Sequence, residues 1–252
     1  MALLYSIYNM KVFDCFWEQE NLGRKTVEIL IERTDSFDEM VLKQLTRGYQ
    51  YVVVKVPMNM PTFNYGLTGM GFVCVENQMN VGISLKDFDF HKVIHLLDDT
   101  SFQVVEGRCD LDTVLTSIKP GMFSTDRISL DTYFGQDIGC QRYINWIVSE
   151  FERGNATLVK MFYKNRHVGF MLFKTNDKTI NLLLNGLYNE YQGQGMGLLT
   201  PASPMLYVKK NSLDISEELT SISSNNIPVV KLYNRLNFRL VNQTYVFVKH
   251  NI

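Results

Sequence analysis

Three glycines alternate in Gln192-Gly193-Gln194-Gly195-Met196-Gly197, directly after an apolar run with strand character and before another apolar stretch. Glycine lets a backbone approach a ligand closely and lets successive N–H groups converge on one anion. At the start of a helix those amides lack helical partners and sit at the positive end of the macrodipole, so a phosphate or pyrophosphate suits them. Two better-known phosphate motifs do not fit. G-x-G-x-x-G needs glycine where Leu198 or Thr200 stands, and no Gly-Lys-Ser/Thr occurs. On this stretch alone a flexible glycine turn stays open as the plainer reading.

Other chemistry has little material. Cys15, Cys74, Cys109 and Cys140 are scattered without a C-x-x-C pair, which argues against a structural metal and for reduced, buried thiols. His91 and His95 stand four apart, but Lys92-Val93-Ile94 between them lacks the Glu of H-E-x-x-H. With His167 and His250 as the only others, a histidine-based triad is poorly supplied.

The elements around the glycine stretch follow from hydrophobic period and punctuation. Val27 to Ile31 reads as a strand, and Ser36-Phe37-Asp38-Glu39 as a capping box opening a helix that ends near Gly48. Tyr51 to Val56 is β-branched and apolar, as a buried strand is, and Pro57 stops it. A short element closes over Leu67 to Gly71, and a strand starts at Phe72. A helix over Asp110 to Ile118 meets the turn Lys119-Pro120-Gly121, which marks a domain boundary at 119/120. Cys140, Ile144, Ile147 and Phe151 form one helix face with Gly154 as C-cap. Strands follow at Leu158 to Phe162, Val168 to Phe173 and Leu182 to Tyr188. The last contains Gly186, the sign of a bulge or a close backbone approach. A strand over Glu218 to Ser221, a helix over Ile227 to Leu236 and strands at Phe238 to Val241 and Tyr245 to Lys249 complete an α/β (α+β) pattern.

Composition bounds the class. The 252 residues are 46% hydrophobic, 12% aromatic and 20% charged, with a formal net charge of −1, which excludes a disordered chain and disfavours nucleic-acid binding by bulk charge. No apolar run approaches the ~20 residues of a membrane span. Met1-Ala2-Leu3-Leu4-Tyr5-Ser6 lacks the basic start of a secretory leader, so a cytoplasmic protein is expected.

The second half resembles the GNAT superfamily of N-acetyltransferases. Gln192-x-x-Gly195-x-Gly197 is similar to its Q/R-x-x-G-x-G/A loop. Leu187-Tyr188-Asn189-Glu190-Tyr191 looks like the end of its bulged strand, and Asn226-Ile227-Pro228 through Tyr233 to Asn237-Phe238 like its later Asn, Tyr-helix and Gly-Phe exit. The resemblance covers about residues 122 to 250 and implies a mixed, mainly antiparallel GNAT sheet with flanking helices over 120–252. It implies acetyl-CoA as cosubstrate and no metal. Gln192, Gly193, Gln194, Gly195, Met196 and Gly197 would hold its pyrophosphate, Leu187 and Tyr188 its pantetheine arm, and Asn226 would also contact it. Tyr233 would be the general acid toward the departing thiolate, a task a phenol of pKa ~10 can perform at neutral pH. Bottom-up, Tyr233 lies on the apolar face of Val229, Leu232 and Leu236, where a core tyrosine is the plainer role, and Asn226 is a good N-cap. Three departures stand out: Asn237 replaces the glycine before Phe238, Gln192 replaces the commoner Arg, and Pro201 and Pro204 fall where a long helix should run, predicting a short, kinked or re-routed one.

Scattered positions of the first half, Trp17 to Lys25, Val54 to Pro57 and Leu67 to Glu76, with Arg127-Ile128-Ser129-Leu130-Asp131 and Arg142-Tyr143-x-x-Trp146, resemble the two-domain dTDP-fucosamine N-acetyltransferases. This implies a nucleotide-activated amino sugar as acceptor, Asp131, Tyr133 and Phe134 in the acceptor wall, and a homodimer. Gly69-Met70-Gly71-Phe72 echoes Arg235-Leu236-Asn237-Phe238, so residues 1–119 read as a smaller α/β domain, a degenerate acetyltransferase-like unit. Two alternatives stay open: another acceptor amine (protein N-terminus, polyamine, antibiotic), or a non-catalytic acyl-CoA-binding module.

Overall fold

The computed structural model of the chain describes residues 2–7 and 10–251; Met1 of the leader reading lies outside them. The chain forms two compact units. The first comprises residues 1–79, 223–225 and 242–252, the second residues 80–222 and 226–241. Strands β5 (Val73–Ser84) and β11 (Arg239–His250) each begin in one unit and end in the other.

In the first unit the strands β1 (Ala2–Ile7), β2 (Met10–Asp14), β3 (Thr26–Leu30) and β4 (Tyr51–Pro57) lie side by side with the end of β11. All pair antiparallel except β3 with β4. A short helix α1 (Phe16–Leu22) joins β2 to β3, and the parallel crossover is made by α2 (Glu39–Thr46). Asp38, rather than Ser36 of the expected capping box, is its N-cap and accepts from the Val41 amide at 3.1 Å. The element expected at Leu67–Gly71 is the end of a full helix, α3 (Pro61–Gly69), opened by proline at N1. Val52, Val54 and Val56 of β4 pack with Phe63 and Leu67 of α3 and with Ile29 of β3.

In the second unit β5 is followed by β10 (Glu217–Ser223), β9 (Thr179–Leu187), β8 (Arg166–Asn176), β7 (Thr157–Tyr163) and β6 (Thr100–Val104). β6 to β9 are antiparallel, and β9 with β10 is parallel. The short α4 (Ile94–Leu97) precedes β6. α5 (Arg108–Ser117) and α6 (Gly135–Glu152) pack Leu111, Val114, Cys140 and Ile147 onto Leu158, Phe170 and Leu172. These contacts place β6 and α5 in the second unit, so the compact units do not divide at 119/120, where the Pro120-Gly121 turn only connects α5 to α6. None of the four cysteines is in a disulfide; Cys15 and Cys140 are buried, but Cys74 and Cys109 are exposed, contrary to the expectation of buried thiols. No helix among the described residues is long and apolar enough to cross a membrane.

The helix after the glycine stretch, α7 (Leu199–Asn211), is continuous despite its prolines. Pro201 sits in the first turn, where no helical donor is needed. Pro204 leaves the Thr200 carbonyl without its i+4 donor. That carbonyl is taken instead by Asn185 Nδ2 of β9 at 2.6 Å and Ser203 Oγ at 3.1 Å. The side chain of one strand thus replaces a missing helical hydrogen bond and ties β9 to α7.

Two stretches of the chain are built alike. β4, α3 and β5 recur as β10, α8 (Ile227–Arg235) and β11 with the same lengths and spacings, every boundary displaced by 166 residues (217 less 51). The helix exits match as well. Phe72 N–H donates to the Leu67 carbonyl after Gly71 at φ 82°, and Phe238 N–H to the Tyr233 carbonyl after Asn237 at φ 67°. Asn237 therefore does adopt the left-handed conformation usually given to glycine. The two strands expected at 238–241 and 245–249 are one, β11, as β5 is.

Asn185→Ala should lower stability by about 1 kcal/mol. It should cost far less in a Pro204→Ala background, where the amide of residue 204 regains the Thr200 carbonyl. A thermal-denaturation double-mutant cycle reads the coupling.

Candidate active site

The site begins where two parallel strands part. The register of β9 with β10 runs from Thr179↔Glu217 to Thr220↔Leu182. At the next residue, Leu183, β9 slips by one against β8: Leu172 faces Leu184 and Phe173 faces Leu182. The bulge therefore falls at Leu183, not at the glycine that suggested one. Gly186 serves the other role of a strand glycine, close approach. A Cβ on Gly169 of β8 would lie 2.2 Å from the Gly186 carbonyl oxygen, and one on Gly186 3.0 Å from Met122. In the first unit the corresponding ladder does not stop: Leu30 pairs with Lys55, and Ile31 N–H donates to the Lys55 carbonyl at 2.9 Å.

Tyr233 of α8 faces this parting. Its hydroxyl is hydrogen-bonded to Thr220, whose Oγ1 donates to the Leu182 carbonyl at 3.1 Å, at the last pair of the ladder. The ring packs edge-to-face on Phe238 with centroids 4.7 Å apart. Burial, above all, pushes the phenol well above its ordinary range, so it stays protonated at neutral pH. Asn226 is the N-cap of α8 and accepts from Val229 N–H at 3.3 Å.

The glycine stretch follows β9 through a single 3₁₀ turn, Asn189–Tyr191. Gly193 and Gly195 have φ of 74° and 80°, and open space surrounds the position of an added Cβ on each. Among the described residues none accepts a hydrogen bond from the amides of residues 193–197, and α7 has no side-chain cap. These donors at a helix start can take one anion. The side chain of Gln192 turns inward, donating to the Leu187 carbonyl at 3.0 Å and to Asn189 Oδ1 at 3.4 Å, and Gln194 donates to the Glu190 carbonyl. Both glutamines thus brace the loop, and Met196 is buried beneath it. Positive charge comes from outside the motif: a cavity of about 370 Å³ beside Gly195 has Lys164 and Arg166 on its wall, together with the His95 imidazole. The sequence motif did not reveal these three, because they come from α4 and the β7–β8 hairpin.

Leu187 and Tyr188 are committed within the protein. Leu187 pairs with Gly169, and Tyr188 donates its amide to the Val168 carbonyl at 2.9 Å. The Tyr188 hydroxyl lies 3.0 Å from His167 Nε2, and burial raises its pKa while lowering that of His167. Asp131, Tyr133 and Phe134 form the turn ahead of α6, with Asp131 accepting from the Tyr133 amide at 2.9 Å and Tyr133 half exposed beside exposed Leu130. That turn is joined to the loop region upstream, where Asn189 Nδ2 donates to the Pro120 carbonyl at 3.2 Å.

Gly195→Val should weaken binding of inorganic pyrophosphate at this loop about tenfold, ~1.4 kcal/mol, because a β-branched side chain resists φ near 80°. Isothermal calorimetry measures this, with the melting temperature expected to change little since the position is open.

No protein-family model matches this chain, and no curated protein matches it by sequence. Likeness to solved structures is extensive. A conserved protein of unknown function from Staphylococcus epidermidis aligns over 100% of this chain and 94% of its own at a TM-score of 0.65 and 14% identity. A GCN5-related N-acetyltransferase from Sphaerobacter thermophilus aligns over 96% and 76% (0.60, 12%). A tandem GNAT protein of the clavulanic acid biosynthesis pathway aligns over 90% and 76% (0.55, 13%). At these identities the likeness concerns the fold: a mixed α/β, mainly antiparallel architecture shared with GCN5-related N-acetyltransferases, tandem ones included.

Proposed function

We propose that the protein is an acetyl-CoA-dependent N-acetyltransferase whose cleft lies between β9 and β10. The observation that carries this reading is the coincidence, at one strand end, of three features: a parallel pair that parts after Thr220↔Leu182, a loop of unpartnered amides over residues 193–197, and a tyrosine hydroxyl at the parting. When bound, acetyl-CoA supplies an activated acetyl thioester. The loop amides hold its pyrophosphate, and backbone N–H groups of β9 near the Leu183 bulge face the thioester oxygen, where they stabilise the developing charge. Tyr233 gives its proton to the sulfur as the acceptor amine displaces it.

A single cosubstrate per chain follows from the same comparison within the molecule. In the first unit Leu67 stands where Tyr233 does, the ladder stays closed at Leu30↔Lys55, and the loop before α2 and the first turn of α2 give their donors to the loop's own carboxylates: Glu32 N–H to Asp35 Oδ2 at 2.7 Å and Val41 N–H to Asp38. A further anion there meets negative charge. We read residues 1–119 as beginning with this degenerate unit and place catalysis in 120–252.

For the acceptor we favour a nucleotide-linked amino sugar. It is supported by the resemblance of the scattered positions and by the exposed Tyr133 and Leu130 ahead of α6, a surface on which a sugar ring can lie. An unrelated amine fits the same chemistry, and thiol release measured over nucleotide amino sugars, peptides, polyamines and aminoglycosides decides between them; transfer to peptides alone rejects the sugar.

Tyr233→Phe should keep the packing on Phe238 and the affinity for acetyl-CoA while lowering turnover by about 10²-fold or more. Unchanged turnover removes Tyr233 as the acid. Calorimetry on the wild type should give one coenzyme A per chain.

A further inference from the structure

Glu218 is fully buried in β10, and neither carboxylate oxygen has a hydrogen-bond partner. It lies two residues from Thr220 on the strand face that meets Tyr233. The described neighbours offer it no cation: Ile180 lies across the ladder on β9, Gly82 of β5 lies against its backbone oxygen, and α8 presents Tyr233, with Lys231 and Arg235 on its outer side. Burial alone pushes its carboxyl well above the usual carboxylate range.

The duplicated half-unit supplies an internal control. At the displacement of 166 residues, Glu218, Thr220 and Tyr233 correspond to Val52, Val54 and Leu67, and those three are fully buried in the first unit's core. The same strand-helix-strand shell is therefore filled by aliphatic side chains in one copy and by a carboxyl, a hydroxyl and a phenol in the other. A buried, unpartnered carboxyl is a cost the fold does not require. All three polar replacements cluster in the unit whose strands part.

We propose that Glu218 is the proton reserve of Tyr233, acting through the Thr220 hydroxyl, and this rests on the acetyl-transfer reading above. Tyr233 loses its O–H proton to the departing thiolate and becomes a phenolate. The protonated Glu218 carboxyl, turning toward Thr220 Oγ1 two residues along the same strand face, then gives it a proton as the Thr220 proton leaves the Leu182 carbonyl for the phenolate, restoring phenol and hydroxyl and leaving a carboxylate. The proton shed by the acceptor nitrogen, returned through water, restores the acid, so the cycle is neutral overall. Glu218 touches no substrate, and its action is on Tyr233 alone.

The test uses the full chain. Infrared difference spectra of wild type against Glu218→Gln in deuterated buffer at neutral pH should show one neutral-carboxyl stretch that the variant lacks. With the amine that wild type acetylates, Glu218→Gln should lower turnover about tenfold with the KM for acetyl-CoA unchanged, and alter the pH profile of turnover. Glu218→Val, copying Val52, should lose the same activity while melting at or above the wild-type temperature. The proposal is overturned by absence of the band, by wild-type turnover and pH profile in Glu218→Gln, or by a Glu218→Val that melts well below wild type, which makes Glu218 structural. If wild type transfers acetyl to no amine, the acetyltransferase reading fails and the reserve with it; if wild type transfers and Glu218→Gln matches it, the reserve alone fails.

Discussion

The candidate site depends on one interrupted ladder. Parallel strands gain their stability from an unbroken row of backbone hydrogen bonds, and β3 and β4 keep theirs through Leu30↔Lys55. β9 and β10 match that pairing for four residues and then lose it at Leu183, where β9 carries one residue too many for β8. Past that point β9 keeps only its partner on one side. The Gly169–Gly186 approach holds β8 and β9 together there, and Asn185 anchors the strand to α7. The opening is thus built into the strand, braced on the side away from it.

Around that opening the polar groups are arranged at some cost to stability. Thr220 closes the ladder with its side chain, Tyr233 attaches to Thr220, and Glu218 lies buried below them. The position of Tyr233 is set by the end of α8. The left-handed Asn237 lets Phe238 fold back, bond the Tyr233 carbonyl and pack on its ring. The same exit in α3, with Gly71 and Phe72, fixes Leu67. One geometry thus serves as a core contact in one unit and aims a phenol in the other.

On the proposed reading, the glycine loop lets a chain of net charge −1 offer backbone donors to an anion. Donors at residues 193–197 are backbone groups with no internal acceptor, and the loop's shape is held by Gln192 and Gln194 from within. Lys164 and Arg166 line the cavity beside Gly195, where the Gln192 side chain brings no charge. The loop of the first unit has the opposite design, with Asp35 and Asp38 filling the donors that an anion would use.

Local signals determined the elements, the glycine loop and the Asn226-to-Phe238 segment, because hydrophobic period, caps and left-handed positions depend on near neighbours in the chain. The strand over 51–56, the α6 face and the left-handed Asn237 are of this kind. What required the tertiary structure involves partners distant in sequence. The bulge is at Leu183 rather than Gly186 because β8 sets the register, and α7 survives Pro204 because Asn185 reaches it from β9. Of the three side chains beside the loop, His95 lies on another element some hundred residues away. The repeat itself was visible only as the echo of Gly69-Met70-Gly71-Phe72 in Arg235-Leu236-Asn237-Phe238. Packing conserves element lengths and cap geometry, not residue identity, so a buried Val52 and a buried Glu218 can occupy the same place and only their surroundings reveal it.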